Sequence, residues 1–265
     1  MILELLLVGF VIFAVCIAFY KRAIHEFQIL QKDWAPTIDW SSMLSERLPL
    51  VIRNVDPSWR GTWTRTSTER KRWPTIVRTE DGDLLRTTWN EWIASDPGQP
   101  PVYNTDELAN ILKLPIQEWQ DGGFSSSTWL PGSSVRAEVL GPSTASYKPA
   151  EKTSAAATLI MSTDGAPLQI WLAHEGAVPD SVAPYLSGQN PWELDPNEIP
   201  WMDEIKFIEV KLRPGNALVL PTHWWWSARA QTPANTKTMG SGAWYWTAQF
   251  HTPISRIVSS VVAKK

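Results

Sequence analysis

From Ser125 onward the chain repeats one pattern, a short apolar segment followed by turn residues. The segments are Thr128–Leu130, Val135–Leu140, Thr158–Met161, Leu168–Leu172, Ile205–Leu212, Ala217–Leu220, Trp224–Ala228 and Ala243–Phe250. Short runs at this spacing predict a mainly β domain built as a sandwich or barrel. The chain carries 17 tryptophans, and such rings suit sheet faces and barrel interiors. No repeat of fixed period interrupts the pattern.

Upstream, Ser41–Arg47 reads as a short helix and Leu48–Val55 as a strand. Thr75–Arg78 and Leu84–Thr87 flank Asp81-Gly82, a hairpin signal. Thr88 with Glu91, and Asn104 with Glu107, are spaced as capping boxes that open helices. Gly176–Pro200, rich in Pro, Asp, Asn and Gly, reads as a long surface loop. Ile254–Val262 predicts a short C-terminal helix.

The N-terminus has a different character. Met1–Tyr20 is apolar except for Glu4. About twenty residues at ~1.5 Å each span one hydrocarbon core of ~30 Å. A cleaved signal peptide needs a basic start and a small-residue cleavage site. Here the start carries an acid, and Ala18-Phe19-Tyr20 is bulky. The run is therefore expected to anchor the chain in a lipid bilayer. Lys21 and Arg22 follow the run, which places the following domain on the cytosolic side. Ile24, Phe27 and Leu30 continue an apolar stripe at helical spacing and predict a helical stalk to about Lys32, stopped by Trp34-Ala35-Pro36. The expected organisation is a transmembrane helix over residues 1–22, a stalk and linker over 23–40, a β domain over 41–253 and a tail over 254–265. Cys16, inside the apolar run, is the only cysteine, and no N-glycosylation sequon occurs. Both suit a reducing compartment. A net charge of −3 gives no footprint for nucleic acid.

Three segments, in order, resemble the cupin-like, JmjC-related double-stranded β-helix family. Glu46-Arg47-Leu48-Pro49-Leu50-Val51-Ile52-Arg53 is similar to its opening strand. Thr158-Leu159-Ile160 through Asp164-Gly165 to Leu172 is similar to its central hairpin. Phe207–Trp226, FIEVKLRPGNALVLPTHWWW, resembles its hairpin of strand, Pro-Gly turn, strand, proline and paired tryptophans. The likeness runs from about Leu44 to Phe250, and membrane-anchored members of this kind occur in large DNA viruses and algae. It implies a double-stranded β-helix, a jelly roll with flanking helices. It also implies a site for Fe(II) and 2-oxoglutarate, held by two histidines and one carboxylate.

The chain departs from that ligand set at each position. Trp226 stands where the distal histidine belongs, and an indole has no acceptor nitrogen for a metal. Before the central hairpin, Tyr147 and Lys148 stand where a histidine is wanted, with no acid two residues later. Of the other candidates, His174 and Glu175 are neighbours, which a regular strand points to opposite faces. His223, His251 and Asp164 form an imaginable set without a spacing signature. The acids Asp195, Glu198, Asp203 and Glu204 lie in and after a loop, where solvation explains them. No nucleophile elbow, phosphate loop or zinc-protease motif occurs.

The tryptophans allow two readings. Trp171, Trp224, Trp226, Trp244 and Trp246, with Tyr147 and Lys148, could line a pocket that stacks on a ligand. The plainer account is a barrel packed with large side chains where metal and cosubstrate would sit in the family. The expectation is a membrane-held, non-catalytic domain that binds or scaffolds an unknown protein or small molecule. The alternatives are an iron- and 2-oxoglutarate-dependent hydroxylase with a rearranged site, and a structural virion membrane protein.

Overall fold

The computed structural model describes residue 8 and residues 28–36, 40–64, 74–78, 84–88, 91, 113–119, 132–140, 147–194, 197, 205–231 and 242–252. Twelve strands lie among them: β1 (Leu30–Asp33), β2 (Leu50–Arg53), β3 (Pro74–Arg78), β4 (Leu84–Thr88), β5 (Gly132–Leu140), β6 (Tyr147–Lys152), β7 (Ala157–Gly165), β8 (Leu168–His174), β9 (Ile208–Leu212), β10 (Ala217–Pro221), β11 (Trp224–Ala230) and β12 (Ala243–His251). The chain is mainly β, as its pattern predicts. Six strands form a mixed sheet in the order β1-β2-β10-β7-β12-β5. Four form an antiparallel sheet in the order β6-β11-β8-β9. β3 and β4 make the separate antiparallel pair expected on either side of Asp81-Gly82.

Strand alternation explains how the layers form. On β10, Leu218 and Leu220 face one way and Ala217 and Val219 the other. The first pair joins Ile160, Tyr245, Ile170, Leu172, Val210, Trp224 and Trp226 in a core between the two sheets. The second pair joins Leu159, Met161, Trp244, Trp246 and Phe250 on the outer face of the large sheet. There Trp63, Leu114, Ile116 and Trp119 cover them. On the small sheet Trp171, Ala173 and Trp225 point outward and are covered by Val178, Val182, Leu186 and Ile205. The molecule is thus two sheets with a covering layer on each outer side.

The turns follow their residues. β9 and β10 meet at Pro214-Gly215, with Gly215 at φ +84 and Asn216 N donating to Arg213 O at 3.0 Å. Proline followed by a positive-φ glycine suits a type II turn. β7 and β8 meet at Asp164-Gly165, with Gly165 at φ +80. The capping box at Thr88 and Glu91 closes in both directions: Thr88 N donates to Glu91 Oε2 at 2.9 Å, and Glu91 N to Thr88 Oγ1 at 3.4 Å. The helix expected at Ser41–Arg47 spans Trp40–Ser45.

Two expectations are corrected. The stalk does not stay helical to Lys32, because Leu30–Asp33 is strand β1, paired in parallel with β2 from Leu30↔Leu50 to Asp33↔Arg53. Ile29 packs against the core between the sheets and Leu30 against the outer one. This two-residue alternation, favoured by the open edge of β2, overrides the helical stripe. The β domain therefore begins before residue 41. Likewise, the early part of Gly176–Pro200 is more than a surface loop: Val178, Val182 and Leu186 are buried over the small sheet, the last two flanking or ending the helix Ala183–Leu186. Among the described residues no helix is long and apolar enough to cross a membrane. Of the anchor expected over residues 1–22, only Val8 falls among them. The segment Thr128–Leu130, the helix expected after Asn104 and the tail over 254–265 lie outside the described residues.

Candidate functional site

Between the sheets the interior divides into two halves. Around β8, β9 and β10 it is aliphatic, with Ile170, Leu172, Val210, Leu218 and Leu220. Around β5, β6 and β12 it carries charge. The charged half depends on an irregularity in β6. Glu151 pairs with Trp226 and Lys148 with Ala228, so the register slips between them. A regular strand would turn residues three apart to opposite faces. The bulge turns Lys148 and Glu151 to the same one.

Local chemistry holds the bulge. Pro149 lies within it, a position that tolerates the missing N–H. Ser227, on β11 opposite the slip, donates its hydroxyl to Lys148 O at 2.5 Å. Ala150 turns its backbone to the covering loop instead of to β11. Its N–H donates to Gln189 O at 2.8 Å, and its carbonyl accepts from Gly188 N at 2.9 Å. The backbone groups freed by the bulge are thereby satisfied.

Lys148 is 7 % exposed. Its ammonium donates to Glu151 Oε2 at 3.2 Å and lies 3.6 Å from Glu138 Oε1. It also sits over the face of Trp226, 4.9 Å from the ring centroid, a favourable place for a cation. Glu138 comes from β5 and faces Tyr245 of β12 in the sheet register. The Tyr245 hydroxyl donates to Glu138 Oε2. Burial, and then the Glu138 charge, push the Tyr245 phenol well above its ordinary value of 10.0. It therefore stays a protonated donor. Arg136, on the same face of β5 and mostly exposed, reaches Glu151 Oε2 at 3.7 Å. A chain of charge thus runs from the surface at Arg136 to the buried Lys148. In the core between the sheets the indole N–H groups of Trp224 and Trp226 are buried and have no hydrogen-bond partner among the described residues.

A second polar group lies at the β10–β11 turn. The Thr153 hydroxyl donates to Pro221 O at 2.7 Å and accepts from Trp224 N at 3.0 Å. This pins the turn to the end of β6. His223, in the turn, has φ +71, and its Nδ1 lies 2.6 Å from Glu175 Oε2. Lys152 donates to the other oxygen of Glu175. Burial raises the Glu175 pKa, but the hydrogen bonds and charges of Lys152 and His223 together outweigh it and hold the carboxyl below its ordinary 4.5.

The expected pocket residues separate into three places. Lys148 and Trp226 meet between the sheets, and Trp224 lies in the same core. Trp171 lies on the outer face of the small sheet, its ring stacked 5.8 Å from Phe207. Trp244 and Trp246 lie on the outer face of the large sheet. There Trp244 packs 5.2 Å from Trp63, and the Trp246 indole donates to Arg60 O at 2.7 Å. Tyr147 is half-buried and faces away from Lys148, opposite Arg229. The seven do not line one cavity, because alternation sends them to different layers. The imagined metal set does not converge either. Asp164 pairs near Trp244 and its carboxylate caps Gly165 N at 2.8 Å. His251 ends the same strand, about 24 Å away along β12. Among the described residues no three of His, Cys, Asp and Glu could hold a metal ion together.

Glu138, Glu151, Arg136 and Tyr245 escape sequence reasoning. Arg136 and Glu138 alternate with Val135, Ala137 and Val139, a pattern that reads as a solvated strand face. Glu151 lies three residues after Lys148, where only a bulge makes an acid relevant. Comparison with models of protein families and with curated proteins finds no match for this chain.

Proposed function

We propose that this chain is a non-catalytic binding domain of the cupin-like, double-stranded β-helix type, held at a membrane by residues 1–20. The strand order supports the architecture. From β5 to β12 successive strands fall into β5-β12-β7-β10 in one sheet and β6-β11-β8-β9 in the other. From β5 to β8, and again from β9 to β12, successive strands alternate between the two sheets, as in a ribbon wound into a jelly roll. The apolar run and its flanking Lys21 and Arg22 support the anchor and a cytosolic domain.

One observation carries the non-catalytic reading: the Lys148 ammonium lies over Trp226 between two carboxylates. By the family resemblance, β6 and β11 would carry the metal ligands. The residues present do not fit Fe(II). Trp226 offers no lone pair, Lys148 brings positive charge, and Glu138 and Glu151 are engaged by Lys148, Tyr245 and Arg136. What the cluster leaves for binding is the pair of buried indole N–H groups of Trp224 and Trp226, which no described residue satisfies and which suit a ligand with acceptor oxygens.

The test is metal analysis and 2-oxoglutarate turnover of the full chain in detergent after incubation with Fe(II). The expected result is iron well below one per chain and no turnover above the no-protein rate. One tightly held iron per chain, or turnover lost on His223→Ala or His251→Ala, would instead make it a hydroxylase with a rearranged site.

A further inference from the structure

The two sheets are unequal, and the inequality leaves a slot. Beyond β10 the large sheet continues with β2 and β1, while the small sheet stops at β9. The inner face of β1–β2 therefore extends past the last strand above it. The space between them is a groove of about 350 Å³ lined by Ile29, Gln31, Val51 and Arg53 on one side and Glu209, Val210, Lys211 and Arg213 on the other. A second hollow of about 360 Å³ continues it past Asn54 and Pro214, sharing Arg53, Arg213 and Asn216.

Three properties of the groove point the same way. First, β9 pairs only with β8 among the described residues, so alternate N–H and C=O groups along its other edge face the groove unpaired. Such an edge is a template for strand addition. Second, the groove is apolar at Ile29 and Val51 on one side and at Val210 on the other, a lining suited to apolar side chains on one face of an extended chain. Third, the lip is cationic. Among the described residues Lys211 and Arg213 have no ion pair, and both are exposed. Of the nearby acids one is ion-paired and the other is hydrogen-bonded but still charged, so Lys211 and Arg213 leave the lip net positive. Asp33 holds Arg53 at 3.1 Å, and the Glu209 carboxylate accepts from Gln169 and from Trp192, each at 2.8 Å.

A lysine on an edge strand often only guards against unwanted pairing. A guard explains neither the apolar floor nor the second unpaired cation at Arg213. A second copy of this chain does not fit by antiparallel pairing of β9 with β9, which would put both large sheets on one side of the joined small sheets. Each projects two strands, about 10 Å, past its own β9, so the two would overlap.

We propose that this groove receives an extended acidic peptide segment of a partner protein as the fifth strand of the small sheet, with apolar side chains on Val51 and Val210 and carboxylates on Lys211 and Arg213. The site lies at the edge opposite β5 and β6, so it is independent of the Lys148 cluster.

The test uses labelled peptides about six residues long, matched to the length of β9, that alternate glutamate with Val, Ile or Leu. Fluorescence anisotropy follows their binding to the full chain in neutral detergent micelles. At least one should bind saturably. Its affinity should fall about tenfold or more on K211E/R213E and weaken as salt rises. Methylating alternate peptide nitrogens should abolish binding in one register and spare it in the other, because only one set faces β9. That readout leaves the protein unaltered. No binding by any of these peptides, equal binding by both methylated registers, or equal binding by lysine-for-glutamate versions would overturn the proposal. So would a soluble short-chain phosphatidylserine that binds through Lys211 and Arg213 while the peptides do not, which would make the lip a lipid headgroup site.

Discussion

Among the described residues, Lys148 is the one cation buried between two carboxylates and a neutral tyrosine, so its removal is asymmetric in cost. Lys148→Met keeps the aliphatic stem over Trp226 but leaves Glu138 and Glu151 beside each other without the ammonium. Breaking a buried pair from one side costs about 3–5 kcal/mol. Urea unfolding of Lys148→Met should show a loss of that size. Adding Glu138→Gln and Glu151→Gln should recover much of it, since no uncompensated charge then remains; a triple variant as unstable as the single one would mean that the ammonium acts through Trp226 alone. Glu175 offers a milder case with a definite sign. Its folded pKa is lowered below 4.5, so its contribution is present above that value and is lost as pH falls through the folded pKa. Its side chain is 45 % exposed, so the effect is modest. Glu175→Gln should lower stability at neutral pH and reduce its fall between neutrality and strongly acidic pH, as read by thermal unfolding across that range.

At the scale of elements, the turns were legible because particular residues allow little else. Pro214-Gly215 and Asp164-Gly165 both mark hairpins, and both glycines take positive φ. The second is also crowded. A Cβ on Gly165 would lie 2.0 Å from Gly242 O, whereas one on Gly188, at φ +78, meets nothing within 4 Å. Gly188→Ala should therefore cost only about 1 kcal/mol, the conformational penalty, and Gly165→Ala clearly more, since the backbone leading into β12 must also shift. Chemical denaturation of the two variants side by side checks the ordering. β1 and β6 were not legible, for different reasons. β1 follows a helical stripe, and only the open edge of β2, a long-range fact, makes it a strand. β6 contains Pro149 and two charges, so nothing local marks it as a strand facing a core. The bulge that brings Lys148 and Glu151 together is set by Ser227 and by the loop at Gly188–Gln189, both distant in sequence. Strand alternation does put Trp224 and Trp225 on opposite faces and Trp244 and Trp246 on one. Which face meets which layer depends on sheet order, which no local pattern carries.

For the whole molecule, the placement of β1 redraws the boundary between tether and domain. Leu30 and Trp34 pack into the outer core of the large sheet. Trp34 makes ring contacts with Trp59 at 4.7 Å and with Trp119 at 5.6 Å. The β1–β2 pairing also forms the floor of the groove beside β9. The proposed anchor, by contrast, lies wholly before these contacts. Two truncations separate the roles. A chain beginning at residue 23 keeps Ile29, Leu30, Trp34 and all four residues of β1, so it should leave the membrane fraction on alkaline extraction while keeping its thermal midpoint within a few degrees. A chain beginning at residue 36 loses the edge strand and a packed tryptophan. Loss of one large core side chain alone costs about 3–5 kcal/mol, which for a domain of this size is a fall of about 10 °C or more. It should also lose the peptide binding proposed for the groove. If both truncations melt alike, β1 is an appendage and the domain starts at β2; if the longer one stays with the membrane, residues 1–20 are not what holds the chain there.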